Sequence, residues 1–283
     1  MGVTVLVVGS GGREHAICWR VLRDRPDAKI YCAPGNGGIG EVAECVNIGA
    51  EDVDAIIEFA IDHKIDFVVI GPEDPLAAGM VNILQSRGVQ VFGPSQEAAQ
   101  LESSKWFAKS VMQAANVPHA RGARFDDPQE AHAYLDLDHN FPPVVKADGL
   151  AAGKGVFVSD NIDEAHDAVD KLMSGQFGHS AKTLVIEENL IGREASAMAF
   201  TDGSVVLQMP LACDYKRALD GDLGPNTGGM GVYSPPGFIH ANAMSDISST
   251  IHQPVINIMA KNGNPFKGIL YAGLMINDKK TNV

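Results

Sequence analysis

The chain has 283 residues, 45% hydrophobic and 20% charged, which is typical of a globular protein with one large domain or two to three smaller ones. Its formal net charge of −13 argues against nucleic acid and membrane surfaces as partners, because both require clustered lysines and arginines. The sequence contains no signal-peptide pattern and no apolar run of membrane-spanning length. Four cysteines without a CxxC pair predict free thiols in a reducing compartment, the cytoplasm.

The first hundred residues alternate between strand and helix patterns. Continuous apolar runs at residues 3–8 and 67–70 are typical of strands buried on both faces. The alternation predicts an α/β fold with a doubly wound parallel sheet, which we assign to an N-terminal domain of residues 1–102. The remaining predicted strands are 30–32 and 89–92, and the predicted helices are 13–23, 53–63 and 75–86.

The pattern changes after residues 93–95. A polar helix extends to about residue 115, and Pro118 then interrupts the chain. We predict an α+β region over residues 103–283, with a small subdomain at about 118–190 and a larger one at 191–283. Its predicted strands are 144–146, 155–158, 183–187, 195–200, 204–208 and 269–276, and its predicted helices are 162–173 and 247–261.

A glycine-rich turn, GSGGRE at residues 9–14, follows the first strand and opens the first helix. Glycines allow close approach of a phosphate, and the helix N-terminus offers free N–H groups. A dinucleotide site is disfavoured, because Glu14 replaces the third glycine and no carboxylate ends the second strand. A phosphorylated substrate fits better, with Arg13 as a bidentate donor.

Two further loops follow strands at the same edge of the predicted sheet. They are PGNGG at residues 34–38 and GPED at residues 71–74. The acids of the second loop are suited to accept hydrogen bonds from sugar hydroxyls. Each loop alone is well explained as a tight strand–helix turn, but three loops on one edge favour a ligand site.

The most informative stretch is VVKADGLAAGKGV at residues 144–156. Lys146 at a strand end precedes a flexible glycine loop, and the pattern predicts a hairpin flap that closes over a polyphosphate. The order differs from that of a P-loop, since no helix follows the lysine. The alternative is a surface hairpin with Lys146 and Lys154 merely solvated.

A second apolar strand ends in acids, in LVIEENLIGRE at residues 184–194. This pattern suits an adenine lying on the strand end, with the linker backbone contacting its edge and a carboxylate holding the ribose. The alternative is an acidic hinge between domains.

Together these motifs resemble the glycinamide ribonucleotide synthetase family of the ATP-grasp superfamily, over essentially the whole chain. The resemblance also covers EENLIGREAS at residues 187–196 and DYKRALDGDLGPNTGGMG at residues 214–231. It implies a cytoplasmic purine-biosynthesis ligase that joins 5-phosphoribosylamine to glycine, splitting ATP to ADP and phosphate through glycyl phosphate. Such in-line transfer depends on positioning and charge neutralisation, consistent with a sequence that offers no defensible nucleophile–base pair.

The resemblance also assigns roles to individual residues. It implies catalytic roles for Lys146, Asp214 and Lys216. It implies ATP contacts for Lys105, Lys146, Gly149, Gly153, Lys154, Gly155, Glu187, Asn189, Leu190 and Glu194. It implies substrate contacts for Gly9, Gly11, Gly12, Arg13, Glu14, Asn36, Gly37, Glu73, Asn226, Thr227 and Gly228. Without the resemblance, residues 225–231 would be interpreted only as a glycine-rich surface loop.

One feature of the family is missing from the sequence. ATP-grasp enzymes bind Mg²⁺ (or Mn²⁺) through a late carboxylate and a Glu-x-Asn pair, and residues 191–283 contain no such pair. We therefore assign no metal ligands, expect the next strand and the C-terminal domain to be absent, and expect this chain alone to be inactive. The sequence predicts no oligomeric state.

Three alternatives remain open at this point. One is another ATP-grasp enzyme of purine synthesis, either a carboxylase or a formate-dependent transferase. Another is a module that binds nucleotide without turnover. The third, a nicotinamide-dependent oxidoreductase, is disfavoured by the first glycine-rich loop.

Overall fold

The computed structural model describes residues 2–137, 143–151, 155–175, 182–221, 223–239, 243–277 and 280–283. The chain divides into two compact units. The first contains Met1–Gln100 with Phe266–Gly268, and the second contains Leu101–Pro265 with Ile269–Val283. Within the described residues, no helix is both long enough and apolar enough to cross a membrane.

The first unit is built on a five-stranded parallel sheet of order β3-β2-β1-β4-β5. The central strand β1 is buried on both faces, with Leu6, Val7 and Val8 fully inaccessible to solvent. The predicted doubly wound sheet is therefore confirmed. Its strands are β1 (Thr4–Gly9), β2 (Lys29–Pro34), β3 (Glu44–Cys45), β4 (Phe67–Ile70) and β5 (Gln90–Phe92), and its helices are α1 (Gly12–Asp24), α2 (Val53–Asp62), α3 (Glu73–Ala77) and α4 (Met80–Ser86).

Two local predictions for this unit were wrong. The helix predicted at 75–86 is divided into α3 and α4, because Gly79 between them has φ +85°, a conformation that glycine adopts most readily. The edge strand β3 was missed, since two exposed residues carry no hydrophobic pattern.

The second unit begins with α5 (Gln96–Ser103), which starts before the unit boundary, and α6 (Lys105–Ala114). An antiparallel sheet of order β6-β9-β7-β8 follows, packed against two helices through Val145, Ala168, Leu172 and Ile186. The elements are β6 (Gly122–Phe125), α7 (Pro128–Leu135), β7 (Pro143–Ala147), β8 (Val156–Val158), α8 (Ile162–Met173) and β9 (Leu184–Glu188). The sequence analysis missed β6 and α7.

The rest of the second unit contains a sheet of order β11-β10-β14-β15 and a separate two-stranded sheet, β12-β13. The strands are β10 (Arg193–Asp202), β11 (Val206–Gln208), β12 (Cys213–Leu219), β13 (Leu223–Tyr233), β14 (Lys267–Ile276) and β15 (Thr281–Asn282). The helical segment is α9 (Ala243–Ile247), a π-helical turn (Ser248–His252) and α10 (Gln253–Lys261).

One interpretation for this region is corrected. Residues 225–231, interpreted from the residues alone as a loop, belong to β13, which pairs with β12 despite its four glycines and register shifts on both sides of Arg217. The short strand β15 was not predicted; its residues Thr281 and Asn282 pair with β14.

Candidate functional site

The three loops of the first unit converge at the carboxyl edge of its sheet. The strands that precede them, β2, β1 and β4, are neighbours in the sheet. The side-chain amide of Asn36 donates a hydrogen bond to the carbonyl of Ser10 over 2.7 Å, which joins the second loop to the first. The guanidinium of Arg13 donates to the carbonyl of Gly71, which joins the first loop to the third. The structure thus brings together loops that the sequence predicted to be neighbours.

Glu14 supports these loops from below. Its side chain is buried, and its Oε2 accepts a hydrogen bond from the backbone N–H of Gly11 over 2.6 Å. A Cβ at Gly9 or Gly71 would approach Glu14 within 3.0 Å, so the glycines make room for this carboxylate. The Glu14 carboxylate therefore supports the loop through Gly11, and its predicted contact with the substrate stays a prediction.

Other positions at this edge are open. A Cβ at Gly12 or Gly37 would meet nothing within 4 Å, and neither residue has a positive φ. The fold itself therefore does not require glycine there, whereas close approach of a ligand to the backbone would. Gly11, Gly12, Arg13, Asn36 and Gly37 are all exposed, and Glu73 is half-buried at the first position of α3.

In the second unit, lysines surround one buried carboxylate. Lys146 on β7 and Glu187 on β9 lie on adjacent strands, and the Lys146 ammonium contacts Oε1 of Glu187. Oε2 of Glu187 lies 2.8 Å from Nζ of Lys109, which is also buried and donates to the carbonyl of Ala120. The sequence analysis missed Lys109, although its position one helical turn after Lys105 on α6 was a usable signal.

The charges in this lysine cluster perturb one another. Burial raises the pKa of Glu187, but the attraction of Lys146 and Lys109 outweighs it, so the pKa lies below its usual value. Burial, with repulsion from Lys146, lowers the pKa of Lys105. Three lysines therefore lie in one region with Glu187, and the carboxylates of Asp148 and Glu102 also act on Lys105.

The start of the predicted flap is anchored to α6. Nζ of Lys105 donates to the carbonyl of Gly149 over 3.1 Å. The carboxylate of Asp148 accepts from the backbone N–H of Trp106 over 2.7 Å and from the hydroxyl of Ser104 over 2.9 Å. Gly155, beyond the loop, accepts a hydrogen bond from the N–H of Ala147 over 2.8 Å. Gly153 and Lys154 lie outside the described residues.

The linker between β9 and β10 is fixed on both sides. Glu188 accepts hydrogen bonds from the backbone and guanidinium of Arg121 at 2.9–3.2 Å. The side-chain amide of Asn277 donates to the carbonyl of Ile191 over 3.1 Å. Asn189 and Leu190 between these anchors are half-buried, so the backbone predicted to contact adenine is held in place.

The predicted ribose and glycine residues form a second charged group in this unit. Nζ of Lys216 lies 3.4 Å from the carboxylate of Asp214 and 4.0 Å from that of Glu194. Burial lowers the pKa of Lys216, but Tyr271 and the two carboxylates outweigh it and the net shift is upward. Lys216 is therefore held as a cation.

The hairpin strand β13 completes this group. The hydroxyl of Thr227 donates to the carbonyl of Lys216 over 2.8 Å and accepts from the N–H of Gly229 over 3.1 Å. A Cβ at Gly228 would meet nothing within 4 Å. The side chain of Asn226 lies outside the described residues. In the described part of the chain, no three His, Cys, Asp or Glu side chains are grouped as a metal site would require.

Comparisons with known proteins assign both units. The model of the phosphoribosylglycinamide synthetase N domain matches residues 3–102. The model of the phosphoribosylglycinamide synthetase ATP-grasp (A) domain matches residues 103–283. The two matches together cover nearly the whole chain.

Individual relatives point to the same family as the two domain models. A phosphoribosylamine–glycine ligase of Caldanaerobacter subterraneus is 47% identical over 96% of this chain and 65% of its own length. A human protein named trifunctional purine biosynthetic protein adenosine-3 is 47% identical over 98% of this chain and 28% of its own length. The crystal structure of phosphoribosylamine–glycine ligase from Thermotoga maritima superposes with a TM-score of 0.83 at 33% identity, covering 99% of this chain and 67% of that one.

The chain thus spans about 65% of the length of the bacterial ligases that it matches. Two domain models of one family thus match the chain, one over residues 3–102 and the other over residues 103–283. The chain belongs to the phosphoribosylglycinamide synthetase family.

Proposed function

We propose that the whole protein joins 5-phosphoribosylamine to glycine in purine biosynthesis, splitting ATP to ADP and phosphate. The observation that carries this proposal is that each unit has its own anion-accepting feature within a matched family domain. The first unit offers open backbone at three glycine-rich loops. The second unit offers three lysines around Glu187.

The lysine cluster is the proposed site of the ATP phosphates. Lys105 and Lys146 contact the phosphates, while Gly149, Gly153, Lys154 and Gly155 belong to the flap that closes over them. Lys109 holds Glu187 in place through its 2.8 Å ion pair. The adenine lies against the linker backbone at Asn189 and Leu190, and Glu194 holds the ribose. Support for this layout comes from the fixed geometry of the linker.

The loops of the first unit are the proposed site of phosphoribosylamine. The amides of Gly11, Gly12 and Gly37 accept the phosphate, and the Arg13 guanidinium exchanges its bond to the Gly71 carbonyl for the ligand. The proposed set also includes Gly9, Glu14, Asn36 and Glu73, and Glu14 in addition supports the loop through Gly11. Glycine is proposed to bind near Asp214, Lys216, Asn226, Thr227 and Gly228.

The proposed reaction has two steps. The glycine carboxylate attacks the γ-phosphoryl group of ATP, which breaks the bond to the ADP oxygen and forms glycyl phosphate. The amine of phosphoribosylamine then attacks the glycyl carbonyl and releases inorganic phosphate. Lys146 and Lys216 neutralise negative charge, and Asp214 keeps Lys216 oriented.

Magnesium is expected in the whole protein. The described residues do not fit it, because they contain no group of three or more His, Cys, Asp or Glu side chains that could hold an ion together. We therefore assign no step to the ion and no ligand to this chain. The proposed substrates are small molecules of the cytoplasm, and the acidic net charge of −13 argues against nucleic acid or membrane partners.

The test uses the full-length protein with ATP, Mg²⁺ and freshly prepared phosphoribosylamine. ADP release that requires glycine, together with formation of the amide product by mass spectrometry, is the expected result. Release supported by bicarbonate or formate in place of glycine would instead identify another ATP-grasp enzyme of purine synthesis. Omitting each substrate in turn provides the control.

A further inference from the structure

Two histidines of the second unit face each other across neighbouring helices. His132 lies on α7 and His166 on α8, and their Nδ1 atoms are 2.6 Å apart. The ring planes differ by 19° while the ring centroids are 4.9 Å apart. So large a centroid separation with so short an N···N distance means that the rings lie end to end, with the two Nδ1 atoms between them.

The outer nitrogen of each ring contacts a carboxylate. Nε2 of His132 lies 3.0 Å from Asp170, and Nε2 of His166 lies 3.2 Å from Asp136. A carboxylate only accepts hydrogen bonds, so each Nε2 carries a proton and each neutral ring directs a lone pair from Nδ1 at its partner. Two lone pairs that converge at 2.6 Å repel unless a cation lies between them. The four side chains therefore form a site for one cation.

A proton can occupy this position, giving three protons on four nitrogens. The arrangement also has the features of a metal site, because metal-bound histidines usually donate their second ring N–H to a carboxylate. Imidazole nitrogen is a preferred ligand of Zn²⁺, Cu²⁺ and Ni²⁺. The histidine side chains are 29% and 26% exposed, so an ion in solution can reach them.

We propose that His132 and His166 bind a divalent transition-metal ion through Nδ1, with Asp136 and Asp170 orienting the rings and water completing the coordination. Two bonds of about 2.1 Å at a tetrahedral angle put the nitrogens about 3.4 Å apart. The nitrogens then separate by roughly 0.8 Å and the two rings tilt towards the ion, a change of rotamer that partly exposed side chains can make.

Calorimetric titration of the tag-free, chelator-treated chain with ZnCl₂ and NiCl₂ tests the proposal. We expect one ion per chain, with affinity reduced at least tenfold in His132→Gln and in His166→Gln. His119→Gln is the matched control, since this histidine of the same unit contacts only the Val117 carbonyl in the described structure and its loss should change nothing.

The two aspartates provide a second, independent test. Asp136 and Asp170 are 72% and 70% exposed, so Asp136→Asn and Asp170→Asn should fold normally, as circular dichroism can verify. Each should weaken metal binding by about 10-fold or more, as loss of a carboxylate behind a metal-bound histidine does. Binding that survives the double substitution His132→Gln/His166→Gln would overturn the proposal. So would the absence of saturable binding, which would mean that the pair holds only a proton.

Discussion

The two units offer different features to the anionic ligands that we propose for them. The first unit uses backbone, at an edge where Gly12 and Gly37 leave open space and one arginine is exposed. The second uses charged side chains, with Lys105, Lys109 and Lys146 near the buried Glu187. A backbone site depends on the space left free by glycine, whereas a charge site depends on how its ions are paired when no ligand is present. Substitutions should therefore reduce the stability of the first unit by filling space beside its glycines and that of the second unit by removing a charged partner.

The largest effect is expected at Glu187. Replacing it with alanine leaves Lys109 buried without its carboxylate, which should reduce the free energy of unfolding by about 3–5 kcal/mol. Urea unfolding followed by Trp106 fluorescence in a Trp19→Phe background reports on the second unit alone, because the chain has two tryptophans. Glu188→Gln is the control, since its partner Arg121 is 78% exposed, and it should cost under about 1 kcal/mol. Equal losses would refute the charge-pairing account.

The second largest effect is a loss of stability at acidic pH that we expect from His252. Burial lowers the pKa of this histidine to about 4, and its Nδ1 lies 2.7 Å from Oε1 of Gln208. The unfolded chain takes up this proton near pH 6.5 while the folded chain does not, so stability is present above about pH 6.5 and falls as the pH drops towards 4. This histidine should reduce the free energy of unfolding by on the order of 3 kcal/mol at low pH. Unfolding curves at pH 7 and pH 4.5 should differ less in His252→Leu than in the parent chain, and an unchanged difference would exclude this group as the source.

A smaller effect separates two glycines of the first unit. In Gly71→Ala the new Cβ would approach the buried Glu14 carboxylate within 3.0 Å, so we expect a loss of about 1–3 kcal/mol. In Gly12→Ala the Cβ meets nothing, and stability should change by less than about 0.5 kcal/mol. Thermal unfolding followed by Trp19 fluorescence in a Trp106→Phe background would measure both. A destabilisation by Gly12→Ala as large as that by Gly71→Ala would contradict the proposed open edge.

The smallest effect distinguishes the ligands of the two units. Arg13→Ala should weaken ribose 5-phosphate, as a stable probe for the phosphorylated substrate, by about tenfold through loss of a charge-assisted hydrogen bond. The affinity for a non-hydrolysable ATP analogue should stay nearly unchanged. Lys146→Ala combined with Glu194→Ala should show the reverse pattern. Calorimetry on each variant measures both ligands, and equal losses for both would argue against separate sites.

The same contrast explains how much the sequence could predict. Strands such as β1 and β4 were correctly located because continuous apolar runs indicate burial on both faces. The loops that follow them were also correctly brought together, since parallel neighbouring strands end at one edge. The hairpin β12-β13 was not predicted from the residues, because glycine-rich segments with exposed side chains lack a period-two pattern.

Side-chain pairing was the least predictable part. Glu187 was assigned to the nucleotide, and nothing in its local sequence indicates that its two oxygens contact Lys146 and Lys109. Those contacts depend on the pairing of β7 with β9 and on the position of α6, which are tertiary facts. Glu14 illustrates the same limit, since its hydrogen bond from the backbone N–H of Gly11 could not be predicted from the local sequence.

The ion pair between Lys146 and Glu187 has a consequence for ligand choice. A lysine that already has an internal counter-ion attracts distant anions less strongly than an unpaired lysine would. A ligand gains the full attraction of the Lys146 ammonium only when its own negative charge replaces the Glu187 carboxylate as the partner. Glu187 therefore competes with the ligand for Lys146. A triphosphate chain with several charged oxygens competes more effectively than a single small anion does.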